Sequence, residues 1–355
     1  MSHTDMRKIA AEAKPIARNG GRNPSGQTDP LRLVAVVVTY NRLAQLTTTL
    51  SRLLDHPRSE LAGVLVIDNA STDGTNEWLT TLVAELLGQG EDRLIVHRCK
   101  TNLGGAGGFE TGMKLAVSQH DPDWLVVMDD DARPSPGTLT EFHSQPRDRV
   151  EAWAAAVYHP DGRICDMNRP SINPFWHHAV LWRTLLGGGR DGFHLGAADY
   201  ASSVPSAIDG TSFVGFFVSR AGIALAGYPD GRLFLYGDDV LYTLGLRDAG
   251  GRILFDPGLT FEHDFTTISD TDKRFRPLWK SYYHYRNLLM VYRLCSGSLF
   301  VLVAPAAAMK WLFKVRHHSG ERRTYLGYVL RALRDGLLGR RNVPHTRVLS
   351  WGRRH

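Results

Sequence analysis

Cysteine is scarce in this 355-residue chain. Its three thiols, Cys99, Cys165 and Cys295, are far apart and odd in number. No disulfide framework and no Cys-based zinc site can be read from them, and a reducing compartment is expected. The first thirty residues lack the apolar core of a secretory signal. They are rich in Gly, Pro, Ser and charge, which predicts a disordered tail over 1–30. No internal repeat and no nucleic-acid module is visible, so nucleic acid is not an expected partner. Acids are almost missing from the C-terminal end. From Lys310 to His355 only Glu321 and Asp335 oppose twelve Lys or Arg, a net of +10, so the overall +6 leaves −4 elsewhere. A basic end on a slightly acidic body points to an anionic surface.

The rest of the chain alternates. "LVAVVVTY" (33–40), "GVLVIDNAS" (63–71), "RLIVHRC" (93–99) and "DWLVVMDD" (123–130) read as strands, the first two as strands buried on both faces. Between them lie "AQLTTTLSRLLDH", with leucines at helical spacing, "STDGTNEWLTTLVAELL", which opens on helix-capping residues, and "FETGMKLAVSQH". Strand and helix in turn predict a doubly wound, mostly parallel α/β sheet whose ligand crevice lies beyond the carboxyl ends of the strands. Thr39, Asp68, Asn102 and the triplet Asp129, Asp130, Asp131 all fall there. Residues 160–210 are aromatic, Gly-rich and weakly periodic, and read as a loop-rich insertion; from about Arg274 the chain reads as helices.

Three adjacent carboxylates after an apolar strand repel one another unless something offsets them. Alternate residues of an extended segment share a side, so Asp129 and Asp131 are expected to converge as hard oxygen ligands for Mg²⁺ or Mn²⁺. Asp130 would point elsewhere, toward a sugar hydroxyl. The competing reading is a solvated acidic turn, which suits the end of a buried strand less well. "NLGGAGGFETG" (102–112) lets backbone come close to a ligand just before a helix whose N-terminus favours anions; a plain tight turn is the alternative. Asp68 is placed to accept from a base or ribose, or to form a turn.

"VVVTYNR", "VIDNASTDGT", "NLGGAGGF" and "VVMDDDARP", in this order, resemble glycosyltransferase family 2 with its GT-A fold. The likeness spans about residues 33–290. "RLFLYGDDV", "FEHDF" and "YYHYRN" are most similar to the bacterial galactofuranosyltransferases, and next to rhamnosyltransferases using dTDP-rhamnose. The resemblance implies an inverting, divalent-metal-dependent transferase. Asp129, Asp131 and His263 would hold Mn²⁺ or Mg²⁺. Thr39, Asp68, Asn102, Gly105, Asp129 and Asp130 would bind the nucleotide sugar. Asp239 would be the general base, with Asp238 next in line. A base and a cation are what the chemistry requires, because the acceptor hydroxyl loses a proton while charge grows on the departing diphosphate. The "GDD" acids could equally offset a helix dipole. The family's Glu and Arg, four residues apart after the acid pair, are Leu241 and Gly245 here. That reads as loss of a local ion pair.

The implied donor is UDP-galactofuranose and the acceptor a glycan or a lipid-linked sugar, with oligomers possible. A silent glycan- or sugar-nucleotide-binding protein is the reading from another class. "FWHHAVLW" offers Trp176, His177 and Trp182 as an acceptor platform or as loop packing. Arg286 could reach a phosphate or form a surface ion pair. Residues 31–273 are expected to be the catalytic domain and 274–355 a helical, basic region. "LCSGSLFVLVAPAAAM" (294–309) is apolar but short for a span and broken by Pro305, and the basic segments after it either lie on a membrane or cap the domain. A peripheral place on the cytoplasmic face of the inner membrane follows from the first reading. Because the implied catalytic groups end at His263, transfer to a short soluble acceptor is expected to survive loss of 310–355.

Overall fold

The computed structural model describes residues 31–146, 148–264 and 275–353; the tail expected over 1–30 lies outside the described residues, as does the boundary expected at 273. In chain order the main elements are β1 (Leu33–Thr39), α1 (Leu43–Leu54), β2 (Gly63–Asp68), α2 (Thr75–Gly88), β3 (Leu94–Arg98), α3 (Gly104–His120) and β4 (Trp124–Asp129). They continue with β5 (Ala132–Pro134), α4 (Thr138–Ser144), β6 (Ala152–Tyr158), α5 (His178–Arg183), α6 (Ala197–Tyr200), β7 (Ser206–Ile208) and β8 (Phe216–Ser219). The last are α7 (Arg220–Ala226), α8 (Asp238–Asp248), β9 (Ile253–His263), α9 (Lys280–Ser296), α10 (Phe300–Phe313), α11 (Arg322–Leu337) and α12 (His345–Ser350).

The strands form one sheet in the order β3-β2-β1-β4-β8-β6-β9-β5, with β7 also on β9. Pairing is parallel from β3 to β4 and between β6 and β9, whereas β8, β5 and β7 run antiparallel to their neighbours. This is the α/β sheet expected, with helices on both faces. Alternation explains the layering. Ala35, Val37, Val64, Val66 and Val126 face Leu46, Leu50 and Leu79 of α1 and α2. Val34, Val36, Leu65, Ile67 and Val127 face Phe109 and Met113 of α3. Helix α3 comes unusually close, since a Cβ on Gly108 or Gly112 would lie 2.5 Å or 2.4 Å from a methyl of Val38 or Val36. Two of the glycines in the expected ligand loop region are thus needed for packing.

Residues 160–210 are mostly irregular, with the short α5 and α6 and brief tight turns. The C-terminal helices build a separate, aromatic core. Tyr282, Tyr283, Tyr285 and Leu289 of α9 pack with Trp311, Tyr325, Tyr328, Val329, Ala332 and Val348. Tyr285 stacks on Trp311 at 4.7 Å, and Tyr325 donates from its hydroxyl to the Trp311 carbonyl at 2.8 Å. The tyrosines bury ring area while their hydroxyls find partners: Tyr282 donates to the buried Asp335 at 2.9 Å.

Candidate active site

The carboxyl ends of β1, β2 and β4 place Thr39, Asp68 and Asp129 along one edge, because Thr39 is paired with Asp68 and Val38 with Asp129. Thr39 donates from its hydroxyl to Asp130 at 2.7 Å. Strand β5 begins directly after the triplet and runs antiparallel to β9, with Ala132 opposite His263. The Asp264 amide donates to the Asp131 carbonyl at 2.9 Å. That short pairing brings His263 to Asp131, 132 positions earlier in the chain. One ligand atom each from Asp129, Asp131 and His263 lie within 4.8 Å of one another.

A guanidinium and an imidazole face the acids. Arg42, which opens α1, bonds to Asp131 and lies 3.8 Å from Asp130. His263 Nε2 is 3.1 Å from Asp131. Burial works against ionising Asp131, but His263 and then Arg42 hold its carboxyl below the usual range. Burial and then the Asp131 charge raise Asp129 to about 6 and Asp130 to about 7. His263 is pushed up to about 10: burial opposes this, and bonding to Asp131 and Cys165 with the charge of Asp131 overcomes it. On its other side the His263 Nδ1–H donates to Asn168 at 2.9 Å, and Cys165 donates to the same oxygen at 2.9 Å. Asn168 therefore fixes the ring so that Nε2 faces the acids, the arrangement found around metal-binding histidines. Two carboxylates and an oriented imidazole fit a hard divalent cation.

The acid pair opens α8. The cap itself is Gly237, at φ 75°, and both acids sit in the first turn. Asp238 is buried while Asp239 is partly open. Burial raises Asp239 to about 6, and burial plus the neighbouring Asp239 raise Asp238 well above the usual range. The charge of Asp239 is felt at Asp129. A partly open carboxylate that holds or releases a proton near pH 6 suits a general base.

The segment leading into that turn is strained and clamped. Phe234 and Tyr236 have φ of 68° and 66°, a region costly for side chains of their size. Asn287 of α9 donates to the carbonyls of Leu233, Leu235 and Tyr236 at 3.2, 2.9 and 2.7 Å. Arg286 is fully buried, lies over Tyr282 and Tyr283, and donates to Leu233 at 2.7 Å and to Asn287 at 2.8 Å. Neither the phosphate contact nor the surface ion pair considered for Arg286 is what the fold uses; its guanidinium is spent on the carbonyls of Leu233 and Arg341, the Asn287 amide and two rings.

The glycines expected in a loop before the helix instead form the first turns of α3, which begins at Gly104, and they seat the same segment. Gly104, at φ +73°, would put a Cβ 2.0 Å from the Phe234 carbonyl, and the Ala106 amide donates to that carbonyl at 3.2 Å. Asn102 accepts from Gly104 at 2.7 Å, and Asn69 holds both Leu103 and Gly104. Of the α3 glycines only Gly105 has no neighbour at its Cβ position among the described residues. Asp68 accepts from Ser71 at 2.8 Å, while its buried second oxygen has Arg98 at 3.6 Å and no hydrogen bond among the described residues. Leu241 packs against Ala106, Leu233 and Met290, so the position where the resemblance implies an acid makes apolar contact here.

In the insertion, His177 is bound to buried Asp209 at 2.9 Å, together with the Asn173 amide and Arg247. Trp176 and Trp182 are exposed. His177 is thus held as part of the insertion's internal frame. Sequence reasoning gave no role to Arg42, Asn168 or Asn287; Arg42 closes "VVVTYNR" and Asn287 closes "YYHYRN", whereas Asn168 carried no signal.

The sequence profile of glycosyl transferase family 2 matches residues 34–172. An undecaprenyl-phosphate mannosyltransferase from Micrococcus luteus is 30% identical over 183 residues, covering 50% of this chain and 70% of its own. The chain belongs to glycosyl transferase family 2. Galactofuranosyltransferase GlfT1 of Mycolicibacterium smegmatis is 29% identical over 207 residues, and the chain spans 62% of its length while the match covers 58% of this chain. Among solved structures, GalNAc-T7 with UDP, GalNAc and Mn²⁺ aligns at a TM-score of 0.52 and 14% identity, over 81% of this chain and 53% of that one. That likeness supports the GT-A type of fold in this family 2 protein.

Proposed function

We propose that this protein is an inverting glycosyltransferase that moves galactofuranose from UDP-galactofuranose onto a lipid-linked or polysaccharide acceptor at the cytoplasmic face of the membrane. The observation that carries the reading is the convergence of Asp129, Asp131 and His263 at the carboxyl ends of the strands, with Asp239 in the first turn of α8 as the candidate base. Asp129, Asp131 and His263 would hold Mn²⁺ or Mg²⁺, which when bound offsets the charge of the donor's diphosphate. Asp239 takes the acceptor hydroxyl proton as that oxygen attacks the anomeric carbon. Thr39 fixes Asp130 beside the donor sugar. Asp68, with a buried oxygen unbonded among the described residues, is suited to a nucleoside donor group, and Asn102 and Gly105 border the same cleft. Asp238, more buried, supports its neighbour. The exposed Trp176 and Trp182, with His177 framing them, offer an acceptor surface. The galactofuranosyltransferase relative supports the donor, and the mannosyltransferase relative supports a polyprenyl-linked acceptor.

A panel of sugar nucleotides tests this, with nucleotide release followed in the presence of Mn²⁺. UDP-galactofuranose should give acceptor-dependent UDP release. Release from dTDP-rhamnose or GDP-mannose instead would reassign the donor, and release from none would overturn catalysis.

A further inference from the structure

A helix apolar on every side is normally buried. Helix α10, FVLVAPAAAMKWLF, is not. Its inner stripe, with Ala304 and Trp311, packs on the aromatic core. Its outer stripe follows helical spacing and consists of Val301, Leu302, Pro305, Ala306, Met309 and Phe313, with Lys310 the one charge. Val301 is 73% exposed, Leu302 68%, Met309 59% and Phe313 65%. The surroundings are basic. Across 275–353 the acids are Glu321 and Asp335; Glu321 is paired with Arg276 at 2.6 Å, and the buried Asp335 is paired with Arg334 at 2.8 Å and lies 3.7 Å from Arg340, so the basic residues far outnumber the acids that pair with them. Lys310, Arg316, Arg322, Arg323, Arg334 and Arg340 are exposed.

The stretch Lys280–His317 is long and apolar enough to cross a membrane by length and composition. Its first half cannot leave the protein, because Arg286 and Asn287 hold the segment before the acid pair. That leaves the 14 residues of α10. At about 1.5 Å per residue they reach roughly 21 Å, short of a bilayer core of about 30 Å.

We propose that α10 lies in the plane of an anionic bilayer, with its Val301–Phe313 face among the acyl chains and Lys310 reaching the headgroups. Apolar face and basic rim are the two features such helices combine. The proposal sharpens the acceptor class and rests on the glycosyltransferase reading. Asn173 of the insertion donates to the Cys295 carbonyl at 3.2 Å, near where α9 leads into α10. Asn287 grips the catalytic segment eight residues earlier, about 12 Å along the helix. A site rooted that near the bilayer fits a lipid-linked acceptor carrying few sugars.

The test compares the full chain with a variant carrying Val301→Gln, Leu302→Gln, Met309→Gln and Phe313→Gln, all at exposed positions. Both are sedimented with vesicles of phosphatidylglycerol and phosphatidylcholine at low and high salt, and assayed with a polyprenyl-linked acceptor in those vesicles and a short soluble one. The native chain should bind, with a salt-resistant fraction. The variant should lose that fraction and at least about tenfold in vesicle affinity, with transfer to the vesicle acceptor falling likewise and transfer to the soluble acceptor unchanged. Equal vesicle binding by both would overturn the proposal. So would a native chain that ignores vesicles but self-associates through this face, with the variant monomeric by light scattering. Vesicle binding as expected without transfer by either protein would uphold the docking and overturn the glycosyltransferase reading instead.

Discussion

The side-chain amide of Asn287 donates to the Tyr236 carbonyl at 2.7 Å, three residues before Asp239. A helix outside the sheet thereby sets where the proposed base stands. The strained Phe234 and Tyr236 conformations persist because Asn287, Arg286 and Ala106 occupy the segment's carbonyls.

Asn287→Leu removes three donated bonds at once. Arg286 still serves the Leu233 carbonyl, so those of Leu235 and Tyr236 lose their side-chain donor; each costs about 1–3 kcal/mol, so unfolding in urea should show a loss of about 2 kcal/mol or more. In whatever fraction stays folded, kcat should fall while donor affinity by calorimetry changes little. Native-like kcat would show that the clamp does not position Asp239.

Asp239→Asn keeps shape and removes basicity. Transfer should drop by about 10²-fold or more with donor binding retained. Burial raises the Asp239 carboxyl to about 6. Its proton must be lost for it to act, so the native rate should rise with pH through about 6 and level off above. A flat profile from pH 5 to 8, or near-normal turnover by the variant, would move the role to Asp238.

Asn168→Leu leaves His263 without the acceptor that orients it. Partners of this kind contribute about 10–100-fold to metal affinity. Titration with Mn²⁺ should show weakening in that range with the protein still folded by circular dichroism. Unchanged affinity would mean that His263 is oriented by other contacts or does not bind metal.

Loss of residues 310–355 should abolish folding rather than spare catalysis. The sequence suggested otherwise because its candidate catalytic groups end at His263. In the fold, Trp311, Tyr325, Tyr328, Val329 and Val348 complete the core around α9. Arg341 bonds Asp230 at 2.5 Å beside the clamped segment. Each large buried side chain contributes about 1.5–3 kcal/mol, and their sum rivals a whole domain's margin of about 5–15 kcal/mol. A truncated protein with native melting temperature and transfer to a soluble acceptor would contradict this.

The sheet was legible because β-branched runs buried on both faces leave few alternatives, and the strand-end acids follow from strand order. Asn168 was not legible, since it lies in an irregular stretch whose place depends on pairing 95 residues away. Arg286 misled because an arginine in a sequence suggests an anion, whereas here carbonyls and rings surround it. The glycines misled in part. Gly104 and Gly108 look like a ligand loop, yet the atoms they admit are Phe234 and Val38.

The most direct measurement is the affinity for UDP-galactofuranose with and without Mn²⁺, in native protein and in Asp131→Ala. Asp131 lies between His263 and Arg42 and shares the ligand cluster with Asp129. Native binding should be strengthened by Mn²⁺ and weakened by chelation, and in the folded variant the metal should make no difference. Donor affinity that responds to Mn²⁺ equally in both proteins, or in neither, would contradict a metal-bridged diphosphate at this site.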